Sequence, residues 1–105
     1  MIGIGLQAAC RVDQTGAAVF LNQRGFTSVA FTNPGDSLLT FDQEIDPTER
    51  VATGAIETVM AAAVFGSMRI VQTSDTQIQV LIRTNAAGFA LTDATFDLVV
   101  TRIGP

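Results

Sequence analysis

A chain of 105 residues without any stretch of linker composition has the size of one domain, and residues 1–105 are read as a single folding unit. Ten acids face six arginines and no lysine, for a formal charge of −4, and the arginines are scattered at Arg11, Arg24, Arg50, Arg69, Arg83 and Arg102. No basic patch forms, and an acidic membrane surface repels such a chain, so neither nucleic acid nor membrane is an expected partner.

Hydrophobic residues make up 48% of the chain and charged ones 15%, well below the usual quarter. Two readings follow: part of the surface is covered by partners, or the exterior is dressed in Thr, Gln, Ser and Asn. Cys10 is the single cysteine, which excludes an intrachain disulfide. The apolar positions at the start alternate with Gly3, Gly5 and Gln7, unlike a signal peptide, and no apolar run is long enough for a spanning helix, so synthesis in the cytoplasm is expected.

In chain order, residues 2–12 are apolar at every even position (Ile2, Ile4, Leu6, Ala8, Cys10, Val12), the period of a half-buried strand. Residues 14–17 supply a turn containing glycine. Residues 18–21 predict a short second strand, stopped by the polar group Asn22, Gln23, Arg24 and Gly25. Phe26, Val29 and Phe31 predict a third, closed by Asn33-Pro34-Gly35-Asp36, where proline fixes φ at one central turn position and glycine permits positive φ at the next. Leu39 and Phe41 return as the other arm of a hairpin.

Asp46-Pro47-Thr48-Glu49 combines an N-cap, a first-position proline and an acid, which predicts one helical turn near residue 47. Beyond it, the helix-favouring Met60, Ala61, Ala62 and Ala63 compete with Gly54 and the β-branched Val51, Thr53, Ile56, Thr58 and Val59. The latter favour a strand over residues 51–61. Residues 68–72 and 77–84 form a second hairpin around Ser74, Asp75 and Thr76, residues 85–88 turn again, and residues 95–103 make the last strand. About eight short strands at spacings near ten residues predict an all-β, antiparallel sandwich or jelly roll, with Ile4, Leu6, Cys10, Phe41, Ile78, Val80, Phe96 and Leu98 in its core.

Histidine, tyrosine, tryptophan and lysine are absent, and with them the usual general base, the imidazole ligand, the phenol and the Schiff-base amine. No enzyme is expected, with no catalytic residue, no cofactor and no metal ligand set. Cys10 has no histidine to activate it and reads as a small core residue. The acids Asp42, Glu44, Asp46 and Glu49 cluster as a calcium site or a pair of catalytic carboxylates would, but their spacing does not match an EF-hand loop, the aromatic platforms of glycoside chemistry are poorly supplied, and a solvated loop with a helix cap accounts for them. Gly3 and Gly5 fit a strand that admits close backbone approach.

The run Thr32-Asn33-Pro34-Gly35-Asp36-Ser37-Leu38-Leu39-Thr40-Phe41, followed by Ile45-Asp46-Pro47-Thr48-Glu49-Arg50, by Arg69-Ile70-Val71-Gln72-Thr73-Ser74-Asp75-Thr76 and by residues 93–102, resembles short β-sandwich proteins of tailed-bacteriophage virions. Similar features occur in capsid cement or decoration proteins and in tail-fibre β-domains. The resemblance implies a structural protein on the outer capsid surface that binds the major capsid protein or another virion protein and itself forms a homo-oligomer, a dimer or trimer. A fibre normally brings a long stalk, which residues 1–105 do not include, so cement is the first expectation and a fibre or receptor-binding domain the second. Outside virions, the alternatives are a sandwich that binds peptides by strand addition and a small sugar-binding module, though the latter lacks its usual Trp and Tyr platforms. The interface is expected at the apolar N-terminal strand and around residues 59–65: Met1, Ile2, Ile4, Leu6, Val59, Met60, Val64 and Phe65.

Overall fold

Alternation and turn chemistry together yield eight strands. A computed structural model of the chain describes residues 3–14, 17–59, 66–84, 91 and 94–104, with backbone alone at 3–6, 58–59, 84 and 104. The strands are β1 (Gly3–Asp13), β2 (Val19–Arg24), β3 (Phe26–Asn33), β4 (Asp36–Phe41), β5 (Arg50–Val59), β6 (Gly66–Gln72), β7 (Gln77–Thr84) and β8 (Ala94–Gly104), with a 3-10 turn at Pro47–Glu49. They form two antiparallel sheets, sheet A in the order β2-β1-β8-β5 and sheet B in the order β3-β4-β7-β6. This is the expected all-β sandwich.

Local chemistry explains the connections that the sequence made legible. Gly35 takes φ +73° between β3 and β4, and its carbonyl accepts the Ile82 N–H at 2.8 Å, tying the hairpin turn to β7. The Asp46 carboxylate accepts the N–H of Thr48 at 2.9 Å and its hydroxyl at 2.8 Å, and Pro47 has no N–H to leave bare. Those bonds hold the Asp46 carboxyl below its ordinary pKa. The contested middle is a strand, β5, through Val59; residues 60–65 lie outside the described residues.

Two local expectations are corrected. The second strand does not stop at Leu21: Asn22, Gln23 and Arg24 stay in β2, paired with Arg11, Cys10 and Ala9. What ends it is Gly25, at φ +83°, the one residue between β2 in sheet A and β3 in sheet B. A Cβ there would stand 2.5 Å from the Gln7 carbonyl oxygen and 2.8 Å from the Ala8 Cβ, so polar composition marked this corner while backbone sterics made it. The second correction concerns β1, whose alternation is not continuous. A register shift between Leu6 and Ala8 pairs Leu6 with Thr101 and Ile4 with Ile103, a phase opposite to that of Ala8 with Val100 and Cys10 with Leu98.

Between the sheets lie Ala8, Cys10, Val12, Phe26, Leu39, Phe41, Ile45, Ile78, Val80, Ile82, Ala94, Phe96, Leu98 and Val100, all buried. Six of the eight expected core residues are among them; the side chains of Ile4 and Leu6 lie outside the described residues. Phe26 and Phe41 stack with centroids 4.9 Å apart, filling the corner beside Gly25.

Each end of this apolar layer is closed by a buried polar side chain that joins the two sheets. Gln14, expected in a turn, is fully buried: its amide nitrogen donates to Ser37 Oγ of β4 at 2.6 Å, and its oxygen accepts the Ala94 N–H of β8 at 3.0 Å. At the other end, Arg50 of β5 is only 4% exposed. Its guanidinium donates to the carbonyls of Ile45 (3.0 Å), Ser74 (2.8 Å), Gln77 (3.1 Å) and Asp75 (3.4 Å) and to Gln72 Oε1 (2.5 Å), and it lies 4.7 Å over the Phe41 ring. Burial lowers its pKa from the ordinary value, but an arginine stays charged even so.

Two stability predictions follow from these contacts. Gly25→Ala combines a positive φ with a backbone clash and is expected to cost about 2 kcal/mol or more. Arg50→Met strands a set of carbonyls at a buried turn and is expected to cost about 3 kcal/mol, with Arg50→Lys recovering only part of it because an ammonium lacks the planar fork. Urea midpoints of the three variants against the parent check both, and an unchanged midpoint in either Gly25→Ala or Arg50→Met would refute the corresponding assignment.

Candidate functional site

A sheet buried on one face should be polar on the other, and sheet A departs from that rule. The large hydrophobic side chains exposed among the described residues are Val19, Leu21, Val51, Val99 and Ile103, and all five belong to sheet A. Val99 pairs with Ala9 on one side and Thr53 on the other, Val51 pairs with Thr101, and Ile103 pairs with Ile4. These register positions form a patch across β1, β8 and β5. Val19 and Leu21 add apolar surface on β2.

One charged row crosses the same face. Arg11 Nε donates to Asp97 Oδ1 at 2.6 Å and its Nη2 to Oδ2 at 3.1 Å, while Glu57 Oε1 lies 3.5 Å from the same Nη2. The bond from Arg11 holds the Asp97 carboxyl below its ordinary value. Glu57, in hydrogen-bonding contact with Asp97 and repelled by its charge, is pushed above its own. Beside this row a shallow open groove of about 750 Å³ runs over β2, β1 and β8, bordered by Ala9, Arg11, Asn22, Arg24, Asp97 and Val99. Its walls offer apolar contact and a few hydrogen-bonding groups.

The expected interface residues fall as follows. Ile4 and Leu6 lie in β1, paired with the end of β8 that carries Ile103, and Val59 closes β5 opposite Ala94. Their side chains, and the whole of Met1, Ile2, Met60, Val64 and Phe65, lie outside the described residues. Val51, Val99 and Ile103 were missed. The signal for Val99 was the run Leu98-Val99-Val100, where consecutive apolar residues put hydrophobic groups on both faces of one strand.

The other candidates resolve chemically. The Cys10 thiol is buried and its pKa is pushed up to about 12, chiefly by burial and also by the charge of Asp97, so it carries no thiolate at neutral pH. In the acidic loop, Asp46 caps the 3-10 turn and Glu49 lies 3.7 Å from Arg102, while Asp42 and Glu44 are exposed. Among the described residues no three His, Cys, Asp or Glu side chains come together as metal ligands, and no helix is long and apolar enough to cross a membrane. Comparison with family models, curated proteins and solved structures finds no match to this chain.

The charged row sets a pH dependence whose sign can be worked out. Asp97 is depressed in the folded state, so its contribution to stability is present above its ordinary pKa of 3.8 and is lost as pH falls through the folded value. Glu57 is raised, so its ionisation opposes folding above its ordinary 4.5. Asp97→Asn is therefore expected to lower the urea midpoint at neutral pH and to match the parent at pH values well below 3.8, while Glu57→Gln raises the midpoint at neutral pH. A constant gap between Asp97→Asn and the parent from neutral to acid pH would show that the row does not titrate in this way.

Proposed function

We propose that this protein is a non-enzymatic structural module that docks on another protein through the outer face of sheet A. Following the resemblance of its turn sequence to virion β-sandwiches, its partner is the major capsid protein or a neighbouring virion protein, and it acts as a cement on the outer capsid surface. One observation carries the reading: every large hydrophobic side chain exposed among the described residues belongs to the same sheet. Apolar groups gathered on one face, with few charges among them, are what a protein-binding surface presents. The chemistry of the chain supports the same side, because it lacks histidine, lysine and tyrosine and its one thiol is buried and protonated.

The mode of binding follows from the residues. Val51, Val99 and Ile103 gain from leaving water, at about 25 cal/mol per Å² of apolar area removed. The Arg11–Asp97 pair is already internally matched and contributes orientation more than affinity. Association of this kind depends weakly on salt, since few charges change partners.

The test is co-sedimentation with undecorated phage shells. Val51→Asp and Val99→Asp are expected to weaken binding at least ~10-fold, roughly 1.4 kcal/mol, with circular dichroism and urea midpoint unchanged. Ser67→Asp, on the outer face of sheet B, should bind as the parent does, at low and high salt alike. Undiminished sedimentation of both valine variants would remove sheet A from the interface, and absence of binding by the parent would remove the shell as partner.

A further inference from the structure

The four sheet edges of this sandwich are not defended equally. β2 carries Arg24, β5 carries Glu57 and β6 carries Arg69, each exposed, whereas β3 (Phe26–Asn33) has neither charge nor proline. Exposed charge on an edge strand is a common device against pairing with another chain, and a regular stretch of edge without it is a template for a further strand. Among the described residues β3 pairs only with β4, so the other side of its backbone is open.

Two further observations bear on what occupies it. The register of β3 against β4 shifts at both ends, between Phe26 and Ser28 and between Phe31 and Asn33, and is regular over residues 28–31. Within that stretch Ser28 and Ala30 are exposed, while Val29 and Phe31, in register with the buried Leu39 and Ser37, are only half-buried. They share the phase of the core yet lie at its rim. A strand added at this edge would both satisfy the open backbone groups and complete the burial of Val29 and Phe31.

We infer that the added strand is β3 of a second copy, paired antiparallel about a two-fold axis. The sequence is self-complementary in that arrangement. An axis at Ala30 sets Val29 of each copy opposite Phe31 of the other, a β-branched residue beside an aromatic one on the core phase, and leaves small residues, Ala30 facing Ala30, on the outer phase. No charge is buried, because β3 contains none. Sheet B becomes one eight-stranded sheet spanning the dimer, and the outer face of each sheet A stays open. The inference does not rest on the shell-binding reading.

Sedimentation equilibrium of the whole protein, without shells, tests it. The parent is expected at twice the 11.1 kDa chain mass, and Ala30→Lys and Ser28→Lys, each placing a like charge beside the axis, at the single-chain mass with the circular dichroism of the parent. Hydrogen exchange should report alternate amides of residues 28–31 as protected in the parent and exchanging in those variants. Ser67→Lys on β6 and Val99→Asp on sheet A should leave the mass unchanged. A parent that sediments as a single chain at every concentration overturns the inference. So does a dimer that survives both β3 variants, or one that Val99→Asp dissociates.

Discussion

Two sheets that touch only through apolar side chains can slide over one another, because burial is non-directional. In this protein the guanidinium of Arg50 removes that freedom. It leaves β5 in sheet A and closes on carbonyls of the loop before β5 and of the turn between β6 and β7 in sheet B, with Phe41 beneath it. A buried cation is costly unless its donors are matched, so the arrangement tolerates little displacement. Gln14 does the same with a neutral amide at the opposite end, bonding Ser37 in one sheet and Ala94 in the other. With both ends specified by hydrogen bonds, the apolar layer between them has one alignment.

That division of labour explains what could be read from the residues. The later hairpin, the last strand and the Asn33-Pro34-Gly35-Asp36 turn were legible because alternation and turn chemistry are local properties; both hairpins pair as expected, and the last strand lies where alternation put it. Arg50 and Gln14 were not legible. One was counted as a scattered charge and the other as a turn residue, since nothing in the neighbouring sequence says that a polar side chain has its acceptors 23 or 24 residues away. The cause of the Gly25 corner, though not its place, and the bulge after Leu6 were hidden for a related reason: both depend on contacts with distant parts of the chain. On the outer face of sheet A, alternation directed attention to Phe96, Leu98 and Val100 and away from Val99, which the opposite phase exposes.

The low charge content acquires a meaning once placed in the fold. On the outer face of sheet A, Arg11 is matched by Asp97 and Glu57, and near the end of β8 Arg102 lies beside Glu49. Arg50 is enclosed. Over β1, β8 and β5, what sheet A then presents to solvent is valine, isoleucine, alanine and threonine beside one neutralising row, with Asn22, Gln23 and Arg24 exposed on β2. A surface of that kind discriminates by shape, because it has few charges with which to repel a wrong partner.

The central position of β8 has a consequence for how the chain acquires its structure during synthesis. β8 lies between β1 and β5 and joins Gly3 to Gly104 and Arg50 to Arg102, yet it is the latest strand in the sequence. Sheet B needs nothing beyond β7 to assemble from its own hairpins, whereas β1 and β5 have no strand between them until β8 emerges from the ribosome. Until then, half of the sandwich waits with its core face and two strand edges uncovered, the condition in which growing β-chains are most open to wrong pairing and to chaperones.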